Sequence, residues 1–174
     1  MRRPRSLPIA AVALAACGLA FDDPEPAPPR LRLTDPIACR TIRGFGDYDV
    51  IEGDEPALTR DQKLMIYVQP IDHTFERNGE KFRAHLTQDV NIRKKGRKKI
   101  LWGREKVVEY EGESDSPPVN LFLGTTVGLK GLAPGEYEAE IIVYDRLREG
   151  REASATRTLS FRVVPRPAAE GRPR

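Results

Sequence analysis

The densest charge in this chain of 174 residues is RKKGRKK, in which Arg93, Lys94, Lys95, Arg97, Lys98 and Lys99 crowd one short stretch. Such a run can hold an anionic partner: phospholipid headgroups, acidic polysaccharide, lipopolysaccharide phosphate or nucleic acid. Lys95-Gly96-Arg97 reads as a hairpin tip. The plainer reading is a solvated turn whose lysines keep neighbouring strands from pairing edge to edge. No aromatic residues interleave the cations, which argues against single-stranded nucleic acid. Opposite in sign, GDYDVIEGDEP carries Asp47, Asp49, Glu52, Asp54 and Glu55. Calcium takes about six to eight oxygens, but Ile51 occupies the third ligand position of an EF-hand pattern, so the stretch reads as a solvated acidic loop. His73 and His85 have no cysteine partner at a zinc-binding spacing. Ser114 and Ser116 lack the G-x-S-x-G setting of a nucleophile, and no phosphate-cradling glycine loop occurs. Carboxylates are plentiful, yet no spacing singles out an acid–base pair. No catalytic residue, metal ligand or cofactor is therefore expected.

The elements that would position these residues show a period of two. In KFRAHLTQDVNIR, Phe82, Ala84, Leu86, Val90 and Ile92 share one face, while Arg83, His85, Thr87, Asp89, Asn91 and Arg93 share the other. Only Gln88 interrupts the apolar face. This is the pattern of a long strand with one face buried. GEYEAEIIVYD and TLSFRVV repeat it, with Tyr137, Ala139, Ile141 and Val143, and then Leu159, Phe161 and Val163, inward. Further strands are expected at 38–43, 63–69, 99–110 and 119–127, with Trp102 as a core or edge anchor. About seven strands without a useful helical run predict an all-β, antiparallel sandwich over residues 37–165.

The chain begins with Arg2, Arg3 and Arg5, followed by the apolar run LPIAAVALAA, Leu7–Ala16. That is the charged and apolar plan of an export signal, and it is too short to span a bilayer, which takes about 20 apolar residues. Without those arginines, basic and acidic side chains balance at 26 each, so overall charge does not predict nucleic-acid binding. Leu14–Cys17, LAAC, resembles the bacterial lipobox. The resemblance implies cleavage after residue 16, diacylglycerol on Cys17 and often an acylated amino group. The implied placement is the cell envelope on a lipid anchor, with Gly18 rather than aspartate favouring the outer membrane of a two-membrane host. Two or more acyl chains hold stably where one does not, at about 0.8 kcal/mol per buried methylene. Residues 17–36, rich in proline at 24, 26, 28 and 29, read as a polyproline-like tether; residues 166–174 read as a disordered basic tail. With Cys17 alkylated, Cys39 has no cysteine to pair with, and its apolar neighbours in PIACRTI predict a buried, inert thiol.

GLAPGEYEAEIIVYD, residues 131–145, resembles the E–F corner of immunoglobulin-like and fibronectin type III domains, in which a leucine and a Pro-Gly turn precede a tyrosine. The resemblance implies that the Tyr137 hydroxyl bonds back to the loop backbone, the tyrosine corner, and that the sandwich is immunoglobulin-like. It implies little about function. The leading expectation is a membrane-anchored envelope lipoprotein with a non-catalytic binding or assembly sandwich, its partner an envelope protein or a cell-wall glycan. The alternatives are a glycan-directed hydrolase or its accessory subunit, and electrostatic docking of the basic hairpin on anionic envelope surfaces.

Overall fold

The computed structural model describes residues 29–150 and 153–166. Cys17, the export signal and most of the expected tether and tail lie outside these residues. The described chain is all-β. In chain order its strands are β1 (Arg32–Leu33), β2 (Ile37–Gly44), β3 (Asp47–Val50), β4 (Ala57–Thr59), β5 (Lys63–Val68), β6 (Pro70–Ile71), β7 (Glu76–Asn78), β8 (Lys81–Lys94), β9 (Ile100–Ser114), β10 (Leu123–Gly128), β11 (Gly135–Asp145) and β12 (Ser154–Val164). One sheet runs β10-β5-β2-β3. The larger runs β4-β12-β11-β8, with β7 and β9 also paired to β8, and it curls into a half-barrel. A two-stranded ribbon joins β1 to β6. The pairings are antiparallel except β4 on β12.

One core lies between the sheets. Leu64, Ile66 and Val68 of β5 and Leu123 and Val127 of β10 meet Leu86, Val90 and Ile92 of β8, Ile141 of β11 and Phe161 of β12. The period of two is the cause: residues at alternate positions leave the same face of a strand, and burial of those faces drives the sheets together. Gln88 is drawn into this core. It is fully buried, and its Nε2 donates to Thr125 Oγ1 of the opposite sheet at 2.6 Å.

The domain starts earlier than expected. Leu31 and Leu33 are buried in the core and β1 pairs with β6, so residues 31–36, assigned above to the tether, belong to the fold. Short strands account for the excess over seven, since two to four residues carry no readable alternation. The strand expected over 119–127 begins only at Leu123, after Pro117 and Pro118. The strand expected to stop at Tyr110 runs on to Ser114. Its end, EGES, carries no apolar alternation, and a bulge interrupts it earlier: β9 places Glu105, Lys106 and Val107 between its partners of Gln88 and Val90, and Lys106 takes φ 45° there.

The end where the chain enters is tied by a buried ion-pair hub. Asp145 accepts from the Thr74 N–H at 2.6 Å and lies 3.7 Å from Arg148, which donates to the carbonyls of Asp72 at 2.9 Å and Pro29 at 2.5 Å.

Candidate functional site

The β8–β9 turn carries the basic run. Arg97 N–H donates to the Lys94 carbonyl at 2.9 Å, and Gly96 takes φ 70°, a left-handed conformation open to glycine without a Cβ penalty. Two of the six cations turn back onto the protein. Arg93 bonds Glu138 at 2.9 Å and Glu140 at 3.0 Å, and Lys95 pairs with Glu55. Lys94, Arg97, Lys98 and Lys99 are exposed and form no ion pair among the described residues. The patch is therefore smaller than the sequence run, and four cations face solvent.

Directly after the turn, β9 opens with Ile100, Leu101 and Trp102, which are 50%, 46% and 38% exposed. β9 pairs with β8 alone, leaving it at the edge of the larger sheet, while β10 is the edge of the smaller one. Between these edges lies a cleft of about 400 Å³. Ile92, Leu101 and Trp102 form one wall, Val127 and Leu132 the other, and Tyr137 also lines it. Register explains the grouping: Trp102 lies opposite Ile92, and Tyr137 opposite Lys94. The Tyr137 hydroxyl donates to the Ala133 carbonyl at 2.6 Å, and its ring stacks on Phe161 with centroids 5.7 Å apart. The tyrosine is thus committed to the corner, and Lys94 is the one charged side chain in the lining.

The other sequence candidates are dispersed. Asp47 and Asp49 lie on β3 and pair with Arg43, while Glu55 reaches Lys95, so the acidic stretch is divided between two cations. His73 meets the Pro118 carbonyl at 2.9 Å, whereas His85 meets Glu109 at 3.1 Å on the outer face of the larger sheet. Among the described residues no group of three His, Cys, Asp or Glu side chains is placed to hold a metal ion. Cys39 is fully buried; burial foremost, then the charge of Asp49, pushes its thiol pKa up, away from the reactive thiolate.

A carboxyl acting as a general acid near neutral pH would need a raised pKa. Asp49, Asp61, Glu109, Glu111 and Glu138 are instead held below the usual range, each first by a hydrogen bond from an arginine or histidine: Arg43, Arg166, His85, Arg83 and Arg93 respectively. The cleft escaped the sequence reading because its opposite wall, from Val127 to Ala133, is more than twenty residues from Trp102 in the chain. The only local hint was that ILW follows the basic run. No protein-family profile, curated protein or solved structure matches this chain.

Proposed function

We propose that the chain is a lipid-anchored binding module of the cell envelope: an immunoglobulin-like sandwich, without catalytic machinery, that engages its partner along the β9 flank. The observation that carries this reading is the flank itself. Exposed Ile100, Leu101 and Trp102 adjoin an apolar cleft on an edge strand, where most edge strands are blunted or covered. A cleft walled mainly by hydrocarbon and the rings of Trp102 and Tyr137 binds by burial. An edge strand beside it can also add backbone hydrogen bonds to an extended partner. The immunoglobulin-like assignment is supported by connections that cross between sheets from β5 to β8 and from β9 through β10 to β11, together with the Tyr137 corner. The anchor is supported by the LAAC motif.

Photo-crosslinking tests the flank. A benzophenone side chain placed at Ile100 of the membrane-borne chain is expected to form a defined envelope adduct. Placed at Thr158, on the exposed outer face of β12, it is expected to form none. Adducts indifferent to position would sink the reading.

A further inference from the structure

We infer that the cleft takes the acyl chain of a single anionic amphiphile, a molecule with one alkyl tail and a carboxylate or phosphate head. This deepens the flank reading above and rests on it. Tail chemistry comes from the lining: Ile92, Leu101, Trp102, Val127 and Leu132 offer only hydrocarbon and an indole. An alkyl chain gains from leaving water against them and needs no hydrogen-bond partner. Head chemistry comes from the rim. Lys94 stands in one wall, and Arg97, Lys98 and Lys99 follow on the β8–β9 turn, all three exposed. Of the acids beside that turn, Glu55 and Glu138 are already paired with Lys95 and Arg93, and Glu136, whose carbonyl accepts from the Lys95 N–H, is one exposed carboxylate against the four cations Lys94, Arg97, Lys98 and Lys99. Net positive charge beside an apolar cleft selects a negative head.

A bilayer is the poorer occupant. The chain enters the fold at Pro29, held by Arg148 next to the Asp145–Leu86 pair. The basic turn begins at Lys94, at the far end of β8. Eight residues of strand separate these levels, about 26 Å at 3.3 Å each. The tether expected before Pro29 would therefore join the domain at the end opposite to the cleft, an arrangement that favours a cleft facing away from the anchoring membrane.

Trp102 is the only tryptophan, so its emission reports on the cleft. The test uses the chain from residue 17 onward with Cys17→Ser, which keeps every core residue but takes no anchor. Sodium dodecanoate, added below its micelle concentration, is expected to shift the emission to the blue, saturating at one molecule per chain. Shortening the tail should weaken binding about fourfold per methylene. Lys94→Gln should weaken it several-fold, and dodecyltrimethylammonium should bind at least tenfold less well than dodecanoate. Gly131→Leu is the blocking variant: Gly131 lines the cleft, and a Cβ there meets nothing within 4 Å. It should abolish the shift with the thermal midpoint unchanged. Equal binding of the cationic amphiphile, a shift that survives Gly131→Leu, a response only to phosphatidylglycerol vesicles, or no response would each overturn the inference. A flank adduct without a dodecanoate response would remove the amphiphile and leave the binding module standing.

Discussion

At Gln88 the interior departs from hydrocarbon, and the departure is paired. Its Nε2 meets Thr125 Oγ1 across the two sheets, while its Oε1 accepts no bond from the protein. A buried amide stripped of its partner costs about 1–3 kcal/mol, whereas replacing both members by apolar groups is close to neutral. Thr125→Val alone should therefore destabilise the domain by about that amount in urea unfolding. Adding Gln88→Leu should recover most of the loss, and strictly additive effects would refute the coupling. The sequence showed Gln88 on the inward face of its strand. It could not show the partner, because Thr125 lies 37 residues away and only the packing of two sheets brings the pair together. Tyr137 is the contrasting case. Its acceptor, Ala133, is four residues upstream, so the bond lies within a local motif that the sequence displays.

Legibility changes in the same way among the elements. The long strands β8, β11 and β12 were readable because each alternates over many residues against a dry interior. β9 was readable only in part, since residues 105–107 bulge opposite Asp89 and its last residues, EGES, show no apolar alternation, and the short β1, β4 and β6 acquire their strand form from neighbours. The β2–β3 hairpin lies between these extremes. Its turn glycine, Gly46, takes φ 69° and donates its N–H to the Tyr67 hydroxyl at 2.9 Å, and Tyr48, Tyr67 and Phe122 pack in a row. Arg43, bonded to Asp47 and Asp49, holds the hairpin's exposed side. The hydrogen bond from Arg43, then that from Thr41, lowers the Asp49 carboxyl from 3.8 to about 2. A folded pKa below the unfolded one means stability that is present above about pH 4 and lost as pH falls toward 2. The group is open to solvent, so the effect is small, local and weakened by salt. The near-ultraviolet dichroism of the tyrosine row should decline over that window at low salt, and Asp49→Asn should flatten the decline. An unchanged profile in the variant would show that Asp49 is not the titrating group.

For the whole molecule, the question is which way the domain faces when anchored. With residues 31–36 in the fold, the polyproline-like tether expected from Cys17 to Leu31 would reach about 40 Å at 3.1 Å per residue. It enters beside Arg148, at the end where Phe45, Phe75 and Val119 are exposed around a smaller cavity of about 290 Å³. The β8–β9 turn and its cleft occupy the other end. If the domain is anchored as proposed, its Phe75 end joins the tether and Lys98 lies at the far end, so the amphiphile inference expects the cleft to face away from the bilayer. The acylated chain, its modification at Cys17 read by mass spectrometry, can be reconstituted in vesicles with a nitroxide at Phe75→Cys or at Lys98→Cys. Relaxation by a water-soluble nickel chelate should be strong at position 98 and reduced at position 75. The reverse ranking, with position 98 shielded, would mean that the basic turn lies on the anchoring membrane, and the outward-facing cleft would then have to be abandoned.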